Sequence, residues 1–267
     1  MNIKNILTYN DLIKSVYNLL LDINRRVSHS HNIIVEEKGR ADFVTNIDFG
    51  VERILVKGLK EIDDIPCLTE ESNQYILSHN YWVIDPIDGT TNLLHGYPSY
   101  CVSIAKVEKD VIEYGFVYNL VNKELFIAIK GKGAYLLNTR NARQKKIYVS
   151  DVCCLSDSLI GFGFPYDKTK IDTIFEISSK ILKSCHDLKR SGPASLDICY
   201  VASGRIDAYY EFDLKEWDYK AGKIILEEAG GKITDWNGKE IQQDTNNVVV
   251  SNNKVHEELL KYLETTI

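Results

Sequence analysis

Two carboxylates, Asp85 and Asp88, close the run Trp82-Val83-Ile84-Asp85-Pro86-Ile87-Asp88-Gly89-Thr90-Thr91-Asn92, at the end of an apolar strand pattern. Pro86 disfavours helical geometry at Asp85 and removes a backbone donor, so the chain leaves the strand in an extended turn from which both acids can face one point. Converging carboxylates repel, which raises a pKa unless cations neutralise the pair. A donor set made of oxygen favours magnesium or manganese over zinc. Gly89 lets backbone approach a ligand closely, and Thr90 and Thr91 can begin a short helix whose free N–H groups point at an anion. Metal and phosphate would then share one corner. Taken alone, Asp-x-x-Asp-Gly also describes an ordinary β-turn.

Other acids stand at element boundaries. Glu70-Glu71 follows the apolar Ile65-Pro66-Cys67-Leu68, and Trp217-Asp218 opens a helical pattern that stops at Gly230-Gly231. Each has a plain structural reading, a solvated turn for the glutamates and a helix N-terminal acid facing the macrodipole for Asp218. Thr45 followed at the third position by Asp48 forms a capping arrangement, which is compatible with a further role for Asp48.

The elements that must position these residues are legible as periodicity. Leu12, Ile13, Val16, Leu19, Leu20 and Ile23 gather on one helical face between Tyr9 and Val27, and Val51, Ile54, Leu55 and Leu59 do so between Thr45 and Ile62. Short β-branched or aromatic runs at 81–84, 101–107, 111–117, 124–129 and 133–137, joined by turn residues, predict an antiparallel sheet of hairpins. Beyond about Ser150 the texture changes to strand and helix in alternation. Strands are expected at 159–164, 206–211, 232–234 and 248–250, and helices at 171–185, 194–202, 217–229 and 253–263. This places a boundary near residue 148, giving an N-terminal α+β half over 1–148 that carries most of the candidate ligands and a C-terminal α/β half over 149–267. Arg143-Gln144-Lys145-Lys146 reads as a solvated connector between them.

The chain has 267 residues, 44% of them apolar, with 16 Gly and 5 Pro, which excludes disordered and collagen-like classes and allows a large buried core. A formal charge of −6 offers no excess positive field for a polyanion, so nucleic acid is not expected as a partner. No apolar run reaches the roughly 20 residues of a membrane helix, and no signal-peptide pattern opens the chain, so a cytoplasmic protein without membrane contact is expected. The six cysteines contain no Cys-x-x-Cys pair and read as reduced core or surface thiols.

Three blocks together resemble the inositol monophosphatase family of magnesium-dependent, lithium-sensitive sugar phosphatases. They are Lys38-Gly39-Arg40-Ala41-Asp42-Phe43-Val44-Thr45-Asn46-Ile47-Asp48, Asp85 to Asn92, and Glu216-Trp217-Asp218-Tyr219-Lys220-Ala221-Gly222, with Glu70-Glu71-Ser72, Arg190-Ser191-Gly192, Tyr210-Glu211 and Ala229-Gly230-Gly231 extending the likeness almost end to end. The resemblance implies an α+β fold, a layered α-β-α-β-α sandwich of the inositol monophosphatase and fructose bisphosphatase type, usually homodimeric. It implies metal ligands at Glu70, Asp85, the Ile87 carbonyl, Asp88 and Asp218, holding two or three Mg2+ with Mn2+ as a possible substitute. It also implies that Asp48 and Thr90 help Glu70 activate an attacking water, while the Gly89 and Thr90 amides hold the phosphate. Substrate contacts fall on Gly89, Thr90, Thr91, Gly192, Pro193, Ala194, Glu211 and Asp218.

The activity so implied is hydrolysis of a small phosphomonoester by in-line attack of metal-activated water, with inositol monophosphate the leading substrate. Metal must precede substrate, because an acidic pocket accepts a phosphate only once cations reverse its sign. Small phosphorylated sugars, polyols or nucleotides are the expected partners, and relatives that cleave fructose bisphosphate, the phosphate of NADP or phosphoadenosine phosphate define alternatives on the same fold. A non-catalytic regulatory binding protein, in contact with RNA machinery, is the alternative from another class. The chain departs from the common family pattern at Thr69, Leu93, Pro193 and Lys220. Pro193 bears on substrate, since it supplies neither a hydroxyl nor an amide donor to the sugar side. Lys220 is a solvated helix lysine or a contact for a second phosphate. His95 lacks a second histidine at ligand spacing and is assigned a supporting or packing role.

Overall fold

The computed structural model describes residues 5–29, 34–39, 42–72, 76–165, 167–242 and 245–263, with backbone alone at 37–39 and 42–43. Arg40 and Ala41 of the first motif lie outside the described residues. In chain order the elements are α1 (Asp11–Ser28), β1 (Val35–Gly39), β2 (Asp42–Thr45), α2 (Asn46–Ile62), β3 (Cys67–Thr69), β4 (Tyr81–Asp88), α3 (Thr90–Leu94), β5 (Cys101–Glu108), β6 (Val111–Asn119), β7 (Glu124–Ile129), β8 (Gly133–Asn138) and β9 (Arg143–Lys146). They continue with β10 (Leu159–Phe162), α4 (Ile171–Leu182), β11 (Asp187–Lys189), α5 (Ala194–Ala202), β12 (Ala208–Phe212), α6 (Glu216–Glu228), β13 (Lys232–Thr234), β14 (Asn247–Ser251) and α7 (His256–Leu263).

Strands β3 to β9 form a seven-stranded sheet in sequence order, antiparallel except for the parallel β3–β4 pair. The hairpin reading of this stretch stands, with one correction. Arg143–Lys146 is not a connector but the edge strand β9, paired antiparallel with β8. Its basic side chains suit an edge, where charge blocks further pairing. Strands β10 to β14 form a mixed five-stranded sheet in the order β11-β10-β12-β14-β13. The strand expected at 159–164 stops at Phe162, and the helix expected at 171–185 stops at Leu182.

Five layers result, an α+β sandwich of the α-β-α-β-α kind. Ile13, Val16, Leu20 and Ile23 of α1 and Val51, Leu55 and Leu59 of α2 share a core with Trp82, Ile84, Ile104 and Phe116 on one face of the larger sheet. On its other face Val83, Ala105, Val117 and Phe126 meet Leu196 and Ile198 of α5 and Ile224 and Ile225 of α6, and the same cluster continues to Tyr209, Val248 and Val250 of the smaller sheet. Ile177 and Ile181 of α4 and Leu259 and Leu263 of α7 cover that sheet's far face through Ile160, Tyr210 and Val249. Tyr209 and Tyr210 thus face opposite layers, as strand alternation requires.

The middle layer explains why α5 is buried on nearly every side, since it is enclosed by sheet both above and below. Helix α6 comes so close to β6 that a Cβ at Gly115 would lie 2.6 Å from the Ala221 carbonyl oxygen. All strands of the larger sheet precede residue 148 and all strands of the smaller one follow it. Among the described residues no helix is long and apolar enough to cross a membrane.

Candidate functional site

Regular strand geometry would send Asp85 and Asp88 to opposite faces of β4. A bulge prevents this. Asp85 pairs with Ser103 and Asp88 with Cys101, so three steps on β4 match two on β5 and both carboxylates turn to the same side. That side is the middle layer. The Ser195 amide of α5 donates to Asp88 Oδ2 at 2.8 Å, and the Ser103 hydroxyl donates to the Trp217 carbonyl of α6 at 3.3 Å.

Glu70 joins from β3, whose parallel pairing with β4 continues one residue further as the Glu70 amide donates to the Ile84 carbonyl at 3.2 Å. Asp218 arrives from the first turn of α6, where its Oδ2 accepts the Lys215 amide at 2.6 Å. Ser195 ties the two halves, because its hydroxyl also donates to the Asp218 carbonyl at 2.9 Å. Asp48 comes from the start of α2. Its Oδ2 accepts the Thr45 amide at 2.9 Å and the Thr45 hydroxyl, completing the expected capping box, while its Oδ1 accepts the Thr90 hydroxyl at 2.8 Å. The Thr90 hydroxyl also lies 3.0 Å from the Ile87 carbonyl.

The electrostatics follow from this gathering. Burial pushes Asp85 well above the ordinary carboxylate range, and Glu70, Asp88, Asp218 and Asp48 push it further. Asp88 is raised to about 6, chiefly by burial and against the Ser195 hydrogen bonds. Asp218 is raised by burial and by Asp88, opposed by the Lys215 amide. Burial raises Asp48 too, opposed by Thr45 and Thr90. Asp85 Oδ1 is buried without a hydrogen-bond partner among the described residues. A buried carboxylate oxygen left without a donor, in a group of like charges, fits a divalent cation, and an all-oxygen donor set fits magnesium or manganese. The oxygens are not preassembled, since among the described residues no three acidic, histidine or cysteine side chains already converge on one ion position. Asp88 and Asp218 each commit one oxygen to a backbone amide, which holds like charges apart.

A pocket of about 210 Å³ opens beside this group. Gly89, Thr90, Thr91, Gly192, Ala194, Glu211 and Asp218, all expected at the substrate, line it together with Asp88, expected as a metal ligand. Pro193 does not. Its ring packs behind Gly89, where a Cβ would lie 2.8 Å from Pro193 Cγ, and Gly89 takes a φ of 96° that favours glycine. Glu211 is raised to about 8 by burial, with the Tyr209 hydroxyl opposing and Asp88 and Asp197 adding to it. Asn92 Nδ2 donates to the Ser99 and Ser191 carbonyls at 2.7 and 2.9 Å, fastening the Gly89 turn to the Gly192 loop.

Lys220 points elsewhere, its ammonium donating to the Tyr81 hydroxyl at 2.7 Å and pairing with Glu216, so it is no contact for a second phosphate here. His95 is exposed at the C-terminal end of α3, which corrects the packing role expected of it. Cys101 and Cys199 are buried as expected, and all six cysteines are free. Sequence reasoning misses Ser195, Asn92, Arg190 and Lys168 as site residues. Asn92 and Arg190 stand inside the blocks that carry the resemblance, which is the signal that could have found them, and Ser195 and Lys168 have none.

Residues 8–267 match the model of a family described as the inositol monophosphatase family. A putative Nus factor SuhB from Neisseria meningitidis serogroup B is 39% identical over 236 residues, which span 87% of this chain and 88% of that protein. The crystal structure of the extragenic suppressor protein SuhB from Bartonella henselae aligns with a TM-score of 0.88 at 31% identity, covering 97% of this chain and 100% of that one. The crystal structure of an IMPase/NADP phosphatase complexed with Mg2+ and phosphate aligns with a TM-score of 0.82 at 26% identity, covering 94% of each chain.

Proposed function

The chain belongs to the inositol monophosphatase family, and from that premise we propose that it is a magnesium-dependent phosphatase of small phosphomonoesters, with inositol monophosphate as the substrate to test. The observation that carries this reading is the buried carboxylate group on Asp85. Four acids from four elements raise its pKa, and one of its oxygens has no donor among the described residues. Such an arrangement destabilises the fold unless a cation completes it. The Mg2+ and phosphate bound by the structural neighbour support the same choice of ion and ligand.

In this proposal Glu70, Asp85, Asp88, Asp218 and the Ile87 carbonyl would hold the cations. Bound there, divalent metal would supply an acidified water and charge compensation for the phosphate oxygens. The chain's own residues then do the rest. The Gly89 and Thr90 amides orient the phosphate at the bulge, and the left-handed turn at Gly89 keeps that surface free of a side chain. Thr90, whose hydroxyl donates to Asp48 Oδ1, keeps lone pairs for the attacking water's proton, and Glu70 is the acceptor beside it. Glu211 and the Gly192 loop face the alcohol half of the substrate. Two or three Mg2+ per chain, Mn2+ as substitute, lithium inhibition, homodimer assembly and a cytoplasmic location belong to the same proposal.

The test is phosphate release from myo-inositol 1-phosphate with and without Mg2+. Saturable, Mg2+-dependent turnover that Asp85→Asn lowers at least about a thousandfold supports the reading, and metal-independent turnover contradicts it. A second reading has one observation behind it, the Nus factor name of the relative at 39% identity. Under it the carboxylate group would bind metal without turnover of any phosphomonoester, and the same assay separates the two.

A further inference from the structure

Cys153 and Cys154 are consecutive in the segment that leaves the larger sheet for the smaller one, and neither lines the pocket. Consecutive side chains on extended backbone diverge, and Cys154 is extended, with φ −130° and ψ 144°. Their sulfurs nevertheless stand 3.7 Å apart, in van der Waals contact. Cys153 is exposed and Cys154 half-buried. Neither joins the apolar clusters formed by the described residues, so the pair brings reactivity rather than packing. The backbone on both sides is tied down. Asn252 Nδ2 donates to the Val152 carbonyl at 2.7 Å, the Ser158 hydroxyl donates to the Cys154 carbonyl at 2.9 Å, and the Leu155 amide donates to Glu258 Oε2 at 3.0 Å. Two thiols are thus presented together to solvent on a fixed stretch of chain.

We propose that Cys153 and Cys154 form a reversible oxidation site, which a hydroperoxide closes to a vicinal disulfide. Cys153, the more exposed, gives up its proton, and its sulfur bonds to one peroxide oxygen as the O–O bond breaks. The other oxygen leaves with that proton as water, and Cys153 is left as a sulfenic acid. The Cys154 sulfur then bonds to the Cys153 sulfur, the S–O bond breaks, and the hydroxyl leaves as a second water with the Cys154 proton. Two thiols are oxidised by two electrons and one peroxide is reduced. The Cys154 thiol donates to Asp157 Oδ2 at 3.7 Å, and Cys153 and Asp157 push its pKa up, so Cys154 keeps its proton until the second step. Adjacent Cα atoms lie about 3.8 Å apart across a trans peptide, closer than the roughly 4.4–6.8 Å that disulfides prefer. The eight-membered ring is therefore strained, and a strained, exposed disulfide is easily reduced again. This makes the pair a reversible device and not a structural bridge, and it stands whether or not the chain is a phosphatase.

The experiment treats the folded, reduced full chain with a small excess of hydrogen peroxide, blocks the remaining thiols with iodoacetamide and digests the protein with trypsin. Trypsin releases both cysteines in one peptide, 147–168. In at least about half of the chains that peptide should be unalkylated and about 2 Da lighter than its dithiol form. Reduced glutathione added before the block should restore the doubly alkylated peptide. In Cys154→Ser the oxidised peptide should instead carry a sulfenic acid on Cys153 that dimedone captures, because the resolving thiol is gone. Cys185→Ser, which removes a half-buried thiol elsewhere, should oxidise as the parent does. A peptide 147–168 that stays doubly alkylated after peroxide, or that is found cross-linked to another cysteine peptide, overturns the proposal.

Discussion

Asp88→Asn should stabilise the metal-free protein and lose that advantage once Mg2+ is bound. In the folded chain Asp88 is raised to about 6 from an ordinary 3.8, mainly by burial. The folded state therefore holds this proton more tightly than the unfolded one does, so ionisation works against the fold. The penalty is absent below pH 3.8, grows between 3.8 and about 6, and is complete at neutral pH. At about 1.4 kcal/mol per pH unit it amounts to about 3 kcal/mol. Asparagine removes the charge while its Oδ1 can still accept the Ser195 amide, which sits 2.8 Å from the present carboxylate oxygen. In EDTA at pH 7.5 the variant should therefore melt higher than the parent, by about 6 °C at roughly 2 °C per kcal/mol for a chain of this size. Saturating Mg2+ should raise the parent by about 3 kcal/mol at a hundred times its Kd and the variant hardly at all. Scanning calorimetry of both proteins in EDTA and in Mg2+ reads all four values. A metal-free variant no more stable than the parent, with an unchanged response to Mg2+, would refute the idea that Asp88 is a charge kept for a cation.

Gly89→Ala should cost about 2 kcal/mol or more in urea unfolding and abolish turnover. Its Cβ would stand 2.8 Å from Pro193 Cγ and 3.1 Å from the Ser99 carbonyl oxygen at a φ of 96°. Thr45→Ala should cost about 1 kcal/mol through the lost cap and also reduce kcat, because Asp48 Oδ2 loses its hydroxyl donor; an unchanged kcat would separate the cap from catalysis. His256 is fully buried between the Thr234 and Ser251 hydroxyls, and burial lowers its pKa to about 4 from 6.5. A histidine held neutral in the fold stabilises fully above pH 6.5 and loses that contribution as pH falls toward 4, about 3 kcal/mol in all. The difference in urea stability between the parent and His256→Gln should therefore shrink from pH 7.5 to pH 4.5, and a constant difference would count against it.

Much of the site is legible in the sequence, because acids at element ends stand out in chain order. The helix cap at Thr45 and Asp48, the long helices and the larger sheet's hairpins follow from periodicity alone. The bulge on β4 does not. The sequence brings Asp85 and Asp88 together through an extended turn after Ile84, whereas β4 continues to Asp88 and the pairing with Ser103 and Cys101 shows that a bulge with one extra residue does it. Strand β9 is hidden because Arg-Gln-Lys-Lys has the composition of a loop, whereas an edge strand needs no apolar face. Ser195 and Asn92 act by joining segments distant in sequence, Asn92 reaching Ser191 and Ser195 reaching Asp88, and such bonds have no local pattern. Arg190 and Lys168 share a pocket only because β10 and β11 are neighbours in the smaller sheet. Lys220 illustrates the converse, since its position near Asp218 in sequence says nothing about the Tyr81 hydroxyl that captures it.

If acids from four elements are gathered to hold divalent cations, the metal-free protein must bind Mn2+. Titration followed by electron paramagnetic resonance should reveal at least one saturable site per chain. Asp85→Asn and Asp218→Asn should each weaken it about tenfold or more. Anomalous scattering from a Mn2+-soaked crystal should place the ion about 2.2 Å from the Asp85 and Asp88 oxygens. A chain that binds no Mn2+ saturably, or binds it equally well without the Asp85 carboxylate, would contradict a cation-holding role for these acids.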